Sequence, residues 1–265
     1  ARRMARGWEP AFPDASNLDG DSAPTRRATG PWRIAPIGWP GDSYPDFSLN
    51  PDPREPGKAG RTGRLGATRS FVEGDLDAVE PDVLLGLADE ILGGAGYAHR
   101  SVLVRSEEHG ARWRPVFEAA GYRADPIVLM CLRREPDRDG PVRVREVPFA
   151  EARPLILETY RRDERLGSAV DQFTDQHGYY ERGVGARFFV GELDGQPAGV
   201  CELWMGRPDA LVEHVDTLEE FRNRSVARSV VLAAIDAARR ANAERIFIAA
   251  DDNDWPKELY GKLGF

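Results

Sequence analysis

A strand-like run over 211–217 leads through a short loop, Phe221 to Ala227, directly into a long amphipathic helix. The first N–H groups of such a helix lack partners within the helix and point the same way, at the positive end of the helix dipole. Backbone geometry of this kind binds phosphate. The feature therefore predicts an α/β (α+β) fold in which a strand delivers the chain to an anion-binding loop.

The second half of the chain alternates strand and helix patterns around this loop. The spacing of apolar residues predicts helices over 151–166, 169–180, 224–241 and 254–263, and strands over 187–193, 198–204, 211–217 and 246–250. Asp194-Gly195 joins the first two strands, and this dipeptide favours the primed turns of β-hairpins. Gly264 follows the last helix, at the position where glycine commonly stops helices.

The first half is less regular at its start. Residues 1–65 hold ten of the 20 prolines, too many for long helices. Trp32, Ile34, Ile37 and Trp39 are apolar enough to pack, so we predict a covering segment with one or two short strands. The rest of this half has the pattern of a helix over 80–92, a strand over 101–104, a helix over 111–120 and a strand over 127–132.

Composition limits the partners and metals that the chain can bind. A net charge of −8 argues against nucleic acid or an anionic membrane, because both require a basic surface. The sequence shows no signal-peptide core and no apolar run of about 18 residues, which predicts a cytoplasmic protein. Cys131 and Cys201 lie far apart in apolar runs, and we expect buried free thiols. The four histidines have no ligand spacing, so no metal site is predicted.

Two motifs in the second half carry a family resemblance. Arg222-Asn223-Arg224-Ser225-Val226-Ala227 resembles the Arg/Gln-x-x-Gly-x-Gly/Ala loop of the GNAT acetyltransferase superfamily. Asn253 and the ending Leu259-Tyr260-Gly261-Lys262-Leu263-Gly264-Phe265 resemble that superfamily's Asn…Leu-Tyr-x-x-x-Gly-Phe ending. The resemblance implies the GNAT fold over about 187–265 and acetyl-CoA as co-substrate. Ser225 stands in place of a glycine, and its Cβ is expected to weaken phosphate binding without abolishing it.

The two halves share a pattern. Phe117 to Tyr122 resembles Tyr260 to Phe265 at an offset of 143 residues, and Leu103 then falls opposite Ile246. At this offset the first half lacks the tyrosine hydroxyl and the small-residue loop. We therefore predict two GNAT-like domains, each a mixed, mostly antiparallel sheet flanked by helices. The first, residues 1–140, is degenerate and begins with the Pro/Gly-rich segment, and the second, residues 141–265, is the acetyltransferase domain. Two unrelated halves that share a common helix ending remain the alternative.

The comparison of the halves also predicts a missing strand. In the first half a strand over 127–132 follows the Gly121-Tyr122 ending, whereas the second half stops at Phe265. We expect that a final strand of the second domain is absent from this chain or that another strand occupies its place.

Ten residues are assigned to acyl-CoA. Backbone N–H groups of Arg224 to Ala227 would hold the pyrophosphate, and the strand before them would bind the pantetheine amides and the thioester carbonyl through its N–H groups. Arg222 either pairs with phosphate or caps a surface. Asn253 matches the family's CoA-contacting asparagine but equally suits a helix cap. Asp216 stands where the family usually has an apolar residue. The predicted set is Val215, Asp216, Thr217, Arg222, Asn223, Arg224, Ser225, Val226, Ala227 and Asn253.

Tyr260 and Glu213 are the candidate catalytic residues. The resemblance implies that Tyr260 is the general acid, and a phenol is a suitable proton donor to a leaving thiolate. Most amines are protonated at neutral pH, so a base is required, and Glu213 matches a position that some GNAT enzymes use for it. Strand alternation predicts that Glu213 and Val215 face one side and His214 and Asp216 the other. Each of these residues also has a purely structural interpretation, and Glu202 is a further candidate base.

These features predict an acetyl-CoA-dependent N-acetyltransferase that acts on a small-molecule amine by direct transfer in a ternary complex. The acceptor is expected to lie among residues 155–186, which include Tyr160, Asp171, Asp175, His177, Tyr179 and Tyr180, with Trp204 nearby. The alternative is a non-catalytic acyl-CoA-binding or interaction protein on the same fold. Nucleotide binding at the same helix is disfavoured, because the lysine of a phosphate-binding loop motif is missing. The sequence leaves the oligomeric state and the identity of the amine open.

Overall fold

The computed structural model describes residues 27–28, 32–37, 47–51, 69–90, 100–104, 106–163, 166–167, 170–206 and 208–265. Predictions that concern the remaining residues, Trp39 and His99 among them, lie outside the described residues. Within them, two six-stranded sheets are formed.

The second half folds around a mixed sheet. Its elements are β8 (Arg143–Val147), α3 (Phe149–Arg161), α4 (Val170–Val184), β9 (Arg187–Leu193), β10 (Gln196–Gly206), β11 (Asp209–Thr217), α5 (Val226–Arg240), β12 (Arg245–Asp251) and α6 (Pro256–Lys262). The order of strands is β7-β12-β11-β10-β9-β8, where β7 is Ile127–Cys131. Only β11 and β12 pair in parallel, and α5 connects them. This arrangement agrees with the predicted α/β class and with the predicted order of elements.

The β9–β10 hairpin turns at Asp194-Gly195 as predicted. Both turn residues have positive φ, 53° and 75°. Two adjacent left-handed residues define the type I′ turn, which matches the twist of the flanking strands. The helix predicted over 151–166 is shorter than expected, because α3 begins at Phe149 and ends at Arg161.

Helices cover both faces of this sheet. On one face, α5 and α6 bury Val230, Val231, Ile235, Tyr260 and Leu263 against β10, β11 and β12. On the other face, α3 and α4 bury Ile156 and Tyr180 against Phe188, Val200 and Trp204. Two glycines of the hairpin strands allow α5 to lie close. A Cβ on Gly199 would stand 2.7 Å from Val226 Cγ1, and one on Gly191 would stand 3.1 Å from the same atom. The start of α5 is therefore fixed against the sheet.

A β-bulge interrupts β11 at His214. Val200 pairs with Asp216 and Glu202 pairs with Glu213, so two residues of β11 face the single Cys201 of β10. His214 has a φ of 45°, in the left-handed region. The extra residue re-aims the side chains that follow it and disrupts strict alternation along the strand.

The first half forms the other sheet. Its strands are β1 (Arg27–Ala28), β2 (Trp32–Ile37), β3 (Phe47–Pro51), β4 (Arg69–Gly74), β5 (Val102–Val104) and β6 (Tyr122–Asp125), with helices α1 (Pro81–Ala88) and α2 (Glu107–Ala119). β4 and β5 pair in parallel with α1 between them, as β11 and β12 do around α5. Gly121 after α2 and Gly264 after α6 both have positive φ, 84° and 105°. The halves thus share a parallel strand pair and a glycine-stopped helix, while duplication and the division at residue 140 stay predictions.

Strand β7 belongs by sequence to the first half but pairs antiparallel with β12, from Ile127 opposite Asp251 to Cys131 opposite Phe247. The position beside β12 is therefore occupied by a strand that precedes the second domain in the chain. The connection from residue 132 to residue 142 then runs back over α5 and α6 to reach β8.

Candidate active site

The loop before α5 has the backbone of an anion site. Asn223 and Ser225 both adopt left-handed conformations, with φ of 59° and 63°. Alternation of this kind turns successive N–H groups toward one concave surface. Ser225 is the N-cap of α5 and makes no side-chain cap hydrogen bond. Glycine is preferred at such a φ, which explains physically why the related motif has glycine where this chain has Ser225.

A cavity of about 750 Å³ opens between this loop, the end of β11 and the start of α6. It is lined by Arg138, Val215, Asp216, Thr217, Phe221, Arg222, Asn223, Ser225, Val226, Ala227, Arg228, Asp254, Trp255, Pro256, Leu259 and Tyr260. Eight of the ten residues predicted to bind acyl-CoA are among them. The structure therefore brings the loop motif and the Leu-Tyr motif, which are separated in sequence, to one cavity.

The other two predicted residues, Arg224 and Asn253, do not line this cavity. Arg224 Nη2 donates to Asp194 Oδ2 at 2.9 Å, and its guanidinium lies 6.0 Å from the ring centroid of Phe221. Asn253 is exposed, and its backbone N–H donates to Asp251 Oδ1 at 2.7 Å. Asn253 lies in the turn before α6, whose N-cap is Trp255, so it neither lines the cavity nor caps the helix.

Tyr260 lies in the cavity wall and is only 5% exposed. Burial raises the pKa of its phenol well above the ordinary value, and the neighbouring groups Cys201, Glu213 and Asp216 raise it further. The phenol is therefore protonated at neutral pH and can donate a proton or a hydrogen bond.

Thr217 supplies a polar group that the protein leaves unused. Its Oγ1 is buried and has no hydrogen-bond partner among the described residues. Buried hydroxyl groups are nearly always hydrogen-bonded, because an unmet one costs about 1–3 kcal/mol. Thr217 is one of the residues that line the cavity, so this buried hydroxyl lies beside that space.

A second cavity of about 290 Å³ meets the first at β11. Thr159, Arg162, Asp163, Asp216, Thr217, Leu218 and Arg222 line it. Asp216, Thr217 and Arg222 line both cavities. Burial raises the pKa of the Asp216 carboxyl, while a hydrogen bond from Thr217 N–H and the nearby Arg222 lower it. Asp216 is thus a carboxylate at the junction of a large and a small cavity.

The expected alternation at the end of β11 is wrong. Glu213 pairs with Glu202 and Asp216 with Val200, which places both on the α3 and α4 side of the sheet, because cross-strand partners share a face. His214 also contacts that side, 4.5 Å from His177 between ring centroids, whereas Val215 packs toward the core that contains Tyr260. The β-bulge at His214 causes this departure from strict alternation, because it adds one residue to β11. Glu213 is not among the residues that line either of the two cavities.

A buried chain of hydrogen bonds lies behind this face. Glu202 is fully buried and accepts from Trp204 Nε1 at 2.8 Å and from His177 Nδ1. His177 Nε2 lies 2.8 Å from the Tyr160 hydroxyl, which lies 3.4 Å from His214 Nδ1. A carboxylate only accepts, so His177 Nδ1 donates to Glu202, and with neutral imidazoles Tyr160 donates to His177 Nε2 and His214 Nδ1 donates to Tyr160. His214 Nε2 is then a lone pair, and it is buried without a partner among the described residues.

Other residues expected near the acceptor lie at the surface or in the core. Asp171 and Asp175 pair with Arg153 at 3.3 Å and 2.7 Å on the outside of α3 and α4. Tyr179 is 63% exposed, and Tyr180 packs against Trp204 with ring centroids 4.8 Å apart. These residues therefore do not line the small cavity, which is formed by Thr159, Arg162 and Asp163 of α3 and its end.

Both thiols are free, and Cys201 is buried as expected, whereas the expectation that Cys131 is buried is wrong. Cys201 is buried, and its Sγ donates to the backbone carbonyl of Val230 at 3.2 Å. Cys131 is half-buried. Within the described ranges, no group of three His, Cys, Asp or Glu side chains is placed to hold a metal ion. No helix in the same ranges is long and apolar enough to cross a membrane.

The fold combines a mixed sheet that has one parallel strand pair with a cavity that joins the start of α5 to the phenol of Tyr260, as expected for an acyltransferase domain. The profile of the Acetyltransferase (GNAT) family matches residues 153–265. Residues 153–265 are therefore a GNAT-type domain.

The comparisons with individual proteins are more distant. A Bacillus subtilis (strain 168) protein, named as a candidate alanine N-acetyltransferase of ribosomal protein bS18, is 28% identical over 80 residues, which are 30% of this chain and 53% of that protein. The match therefore spans about half the length of this curated relative. A conserved protein of unknown function from Staphylococcus epidermidis ATCC 12228 has a similar fold, with a TM-score of 0.50, 17% identity, and coverage of 76% of this chain and 81% of that one. Glucosamine-6-phosphate N-acetyltransferase from Arabidopsis thaliana is 19% identical, with a TM-score of 0.37 and coverage of 46% and 90%.

Proposed function

We propose that this protein is an acetyl-CoA-dependent N-acetyltransferase that transfers an acetyl group directly to a small-molecule amine in a ternary complex. One observation carries the proposal: a single cavity joins the N–H groups at the start of α5, the unpartnered Thr217 hydroxyl and the Tyr260 phenol. Family membership of residues 153–265 supports the acyl-group donor.

In this proposal the loop from Arg222 to Ala227 binds the pyrophosphate of acetyl-CoA. The N–H groups near the end of β11 and the Thr217 hydroxyl hold the pantetheine arm and orient the thioester. Fixing both reactants in one geometry turns a bimolecular reaction into an effectively unimolecular one. The 290 Å³ cavity is the proposed site of the amine, and its small size favours a small molecule.

The reaction requires two proton transfers. The amine nitrogen attacks the thioester carbonyl carbon, the C–S bond breaks, and an amide and a thiolate form. Tyr260 gives its phenol proton to the departing thiolate. Asp216 takes the proton that the amine loses, because it lies where the two cavities meet. Glu213, the base proposed from the sequence, is the alternative, and it would act from the same face of the sheet.

A second acceptor class is the amine of a protein alanine. The Bacillus subtilis relative supports this second class, because its name describes an alanine N-acetyltransferase that acts on a ribosomal protein. The experiment that separates the two is a thiol-release assay with acetyl-CoA, run on a panel of small amines and on peptides that begin with alanine. Turnover of small amines supports the first class, and turnover of peptides alone supports the second. Binding of acetyl-CoA without thiol release on either panel leaves the non-catalytic acyl-CoA-binding alternative.

A further inference from the structure

The connection between β7 and β8 is hydrogen-bonded at its start, middle and end to the part of the chain that contains the cavity. At its start, Leu132 N–H donates to the Ile246 carbonyl at 2.8 Å. At its end, Val142 N–H donates to Ser229 Oγ at 3.1 Å. Between them, Asp137 N–H donates to the Lys262 carbonyl at 3.0 Å. A segment held by α5, α6 and β12 can place a side chain as accurately as the domain itself.

Two glycines make this close contact possible. A Cβ on Gly264 would stand 2.1 Å from the Arg134 carbonyl oxygen, and Gly264 in turn accepts from the N–H of Arg133 at 2.8 Å. A Cβ on Gly140 would stand 2.6 Å from Ser229 Oγ. The connection therefore lies directly on the end of α6 and on the first turn of α5.

An ion pair fixes the middle of the connection at the cavity. Arg228 is 3% exposed, and its Nη1 donates to Asp137 Oδ1 at 2.5 Å and to the Arg138 carbonyl at 3.2 Å. This contact holds the backbone of Arg138 beside the first turn of α5. The side chain of Arg138 is exposed and lines the 750 Å³ cavity.

Arg138 places a positive charge at the side of the cavity next to the start of α5. The Asp137 carboxylate accepts a hydrogen bond from the Arg228 guanidinium, while the Arg138 residue interacts with it through its charge and its backbone N–H. At the other side of the cavity, Arg222 lies close enough to Asp216 to lower the pKa of that carboxyl. Arg138 therefore supplies a cation beside the start of α5, where a phosphate would bind, in addition to Arg222. Guanidinium groups bind phosphate through paired N–H donors.

We propose that Arg138 binds a phosphate group at the nucleotide end of acyl-CoA, so that the connection between the halves forms part of the cofactor site. This inference rests on the proposed acyl-CoA function and extends it to a residue outside the family match at 153–265. Two sources of phosphate fit: the pyrophosphate and the 3′-phosphate of the ribose. Arg138 is not proposed to contact the thioester end of acyl-CoA, because that end is proposed to lie at Tyr260 and Asp216.

Calorimetric titration of the full chain with CoA and with 3′-dephospho-CoA tests the proposal. Arg138→Ala should weaken CoA binding about tenfold, as expected for the loss of one hydrogen bond between charged groups. Arg138→Lys should recover part of the affinity, because the charge is kept. A loss seen with both ligands identifies the pyrophosphate, and a loss seen with CoA alone identifies the 3′-phosphate.

Arg143→Ala is the matched control. It removes the same charge from an exposed arginine, 76% exposed at its side chain, that does not line the cavity. Equal affinity of the Arg138→Ala and Arg143→Ala proteins for both ligands would overturn the assignment of Arg138. Failure of the unmodified protein to bind CoA at all would instead overturn the acyl-CoA function itself, so the two failures are distinguishable.

Discussion

His177 of α4 and Glu202 of β10 form a buried pair, with exposures of 3% and 0%. The carboxylate accepts from His177 Nδ1 and from Trp204 Nε1. Removal of the acceptor leaves two buried donors unmet, and breaking such a pair costs about 3–5 kcal/mol. Glu202→Leu, which keeps the side-chain bulk, should therefore lower the free energy of unfolding in urea by about 3 kcal/mol or more.

Glu146 provides the control for that measurement. It pairs with Arg187 at 2.6 Å on the surface, with side-chain exposures of 45% and 30%. Exposed pairs contribute at most about 1 kcal/mol, so Glu146→Leu should change the free energy of unfolding little. Similar losses of the free energy of unfolding in the two variants would show that the buried His177–Glu202 pair contributes no more to stability than the exposed pair.

His214 should make the stability of the fold depend on pH. Burial lowers the pKa of its imidazole to about 4, with a further decrease from His177 and an opposing increase from Glu202. The ordinary pKa of histidine is about 6.5, so the unfolded chain binds the proton more tightly than the folded one. Stability is then complete above pH 6.5 and falls as the pH decreases toward 4, by about 3 kcal/mol at most.

A comparison of the unmodified protein with His214→Gln isolates this contribution. Tyr160, His177, Glu202 and Asp216 also lie on this side of the sheet, but they are common to both proteins. As the pH falls from 7 to 4, the unmodified protein should lose free energy of unfolding relative to the His214→Gln protein. A constant difference over that range would contradict a buried, neutral His214.

Replacement of Ser225 by glycine should stabilise the protein. Its φ of 63° is left-handed, a conformation that costs a residue with a Cβ about 1–2 kcal/mol. Glycine removes that cost but gives the unfolded chain about 0.4–1 kcal/mol more freedom. The net expectation for Ser225→Gly is a stabilisation of up to about 1 kcal/mol, measured by thermal unfolding, together with equal or tighter CoA binding.

Ala227 is the matched control for that substitution. It lies in the first turn of α5, where the backbone is helical, so glycine relieves nothing there. Ala227→Gly should destabilise by about 0.5–1 kcal/mol. Opposite signs for the two glycine substitutions would confirm the strain at Ser225, and destabilisation by both would refute it.

Local patterns predicted the local features of this fold well. Asp194-Gly195 and Gly264 require positive φ, and the structure has it at both. The loop and Tyr260 motifs also met in one cavity. The bulge at His214 was missed because periodicity assumes an unbroken ladder. Arg138 was missed because the contacts that place it, with Arg228 and α6, span about 90 or more residues and leave no pattern in the sequence.

Tyr260→Phe tests the proposed acid. The phenylalanine ring keeps the packing of the core but lacks the proton. General acid catalysis contributes typically about 10²–10⁴-fold, so kcat should fall by that factor. Affinity for CoA, measured by titration, should stay within about twofold. An unchanged kcat in the thiol-release assay, once an amine substrate is found, would remove Tyr260 from the mechanism.

Asp216→Asn and Glu213→Gln decide between the two candidate bases. Asp216 lines both cavities, whereas Glu213 lines neither, so Asp216→Asn should lower kcat by about 10²-fold or more and Glu213→Gln should have a small effect. Burial raises the pKa of Asp216, and a base acts only when deprotonated, so kcat/KM of the unmodified enzyme should rise with pH through that pKa. The Asp216→Asn protein should lose this acid limb while the Glu213→Gln protein keeps it. The reverse pattern would assign the role of base to Glu213. The pH profile is the deciding measurement, because a merely structural effect of either substitution would lower activity without changing the profile.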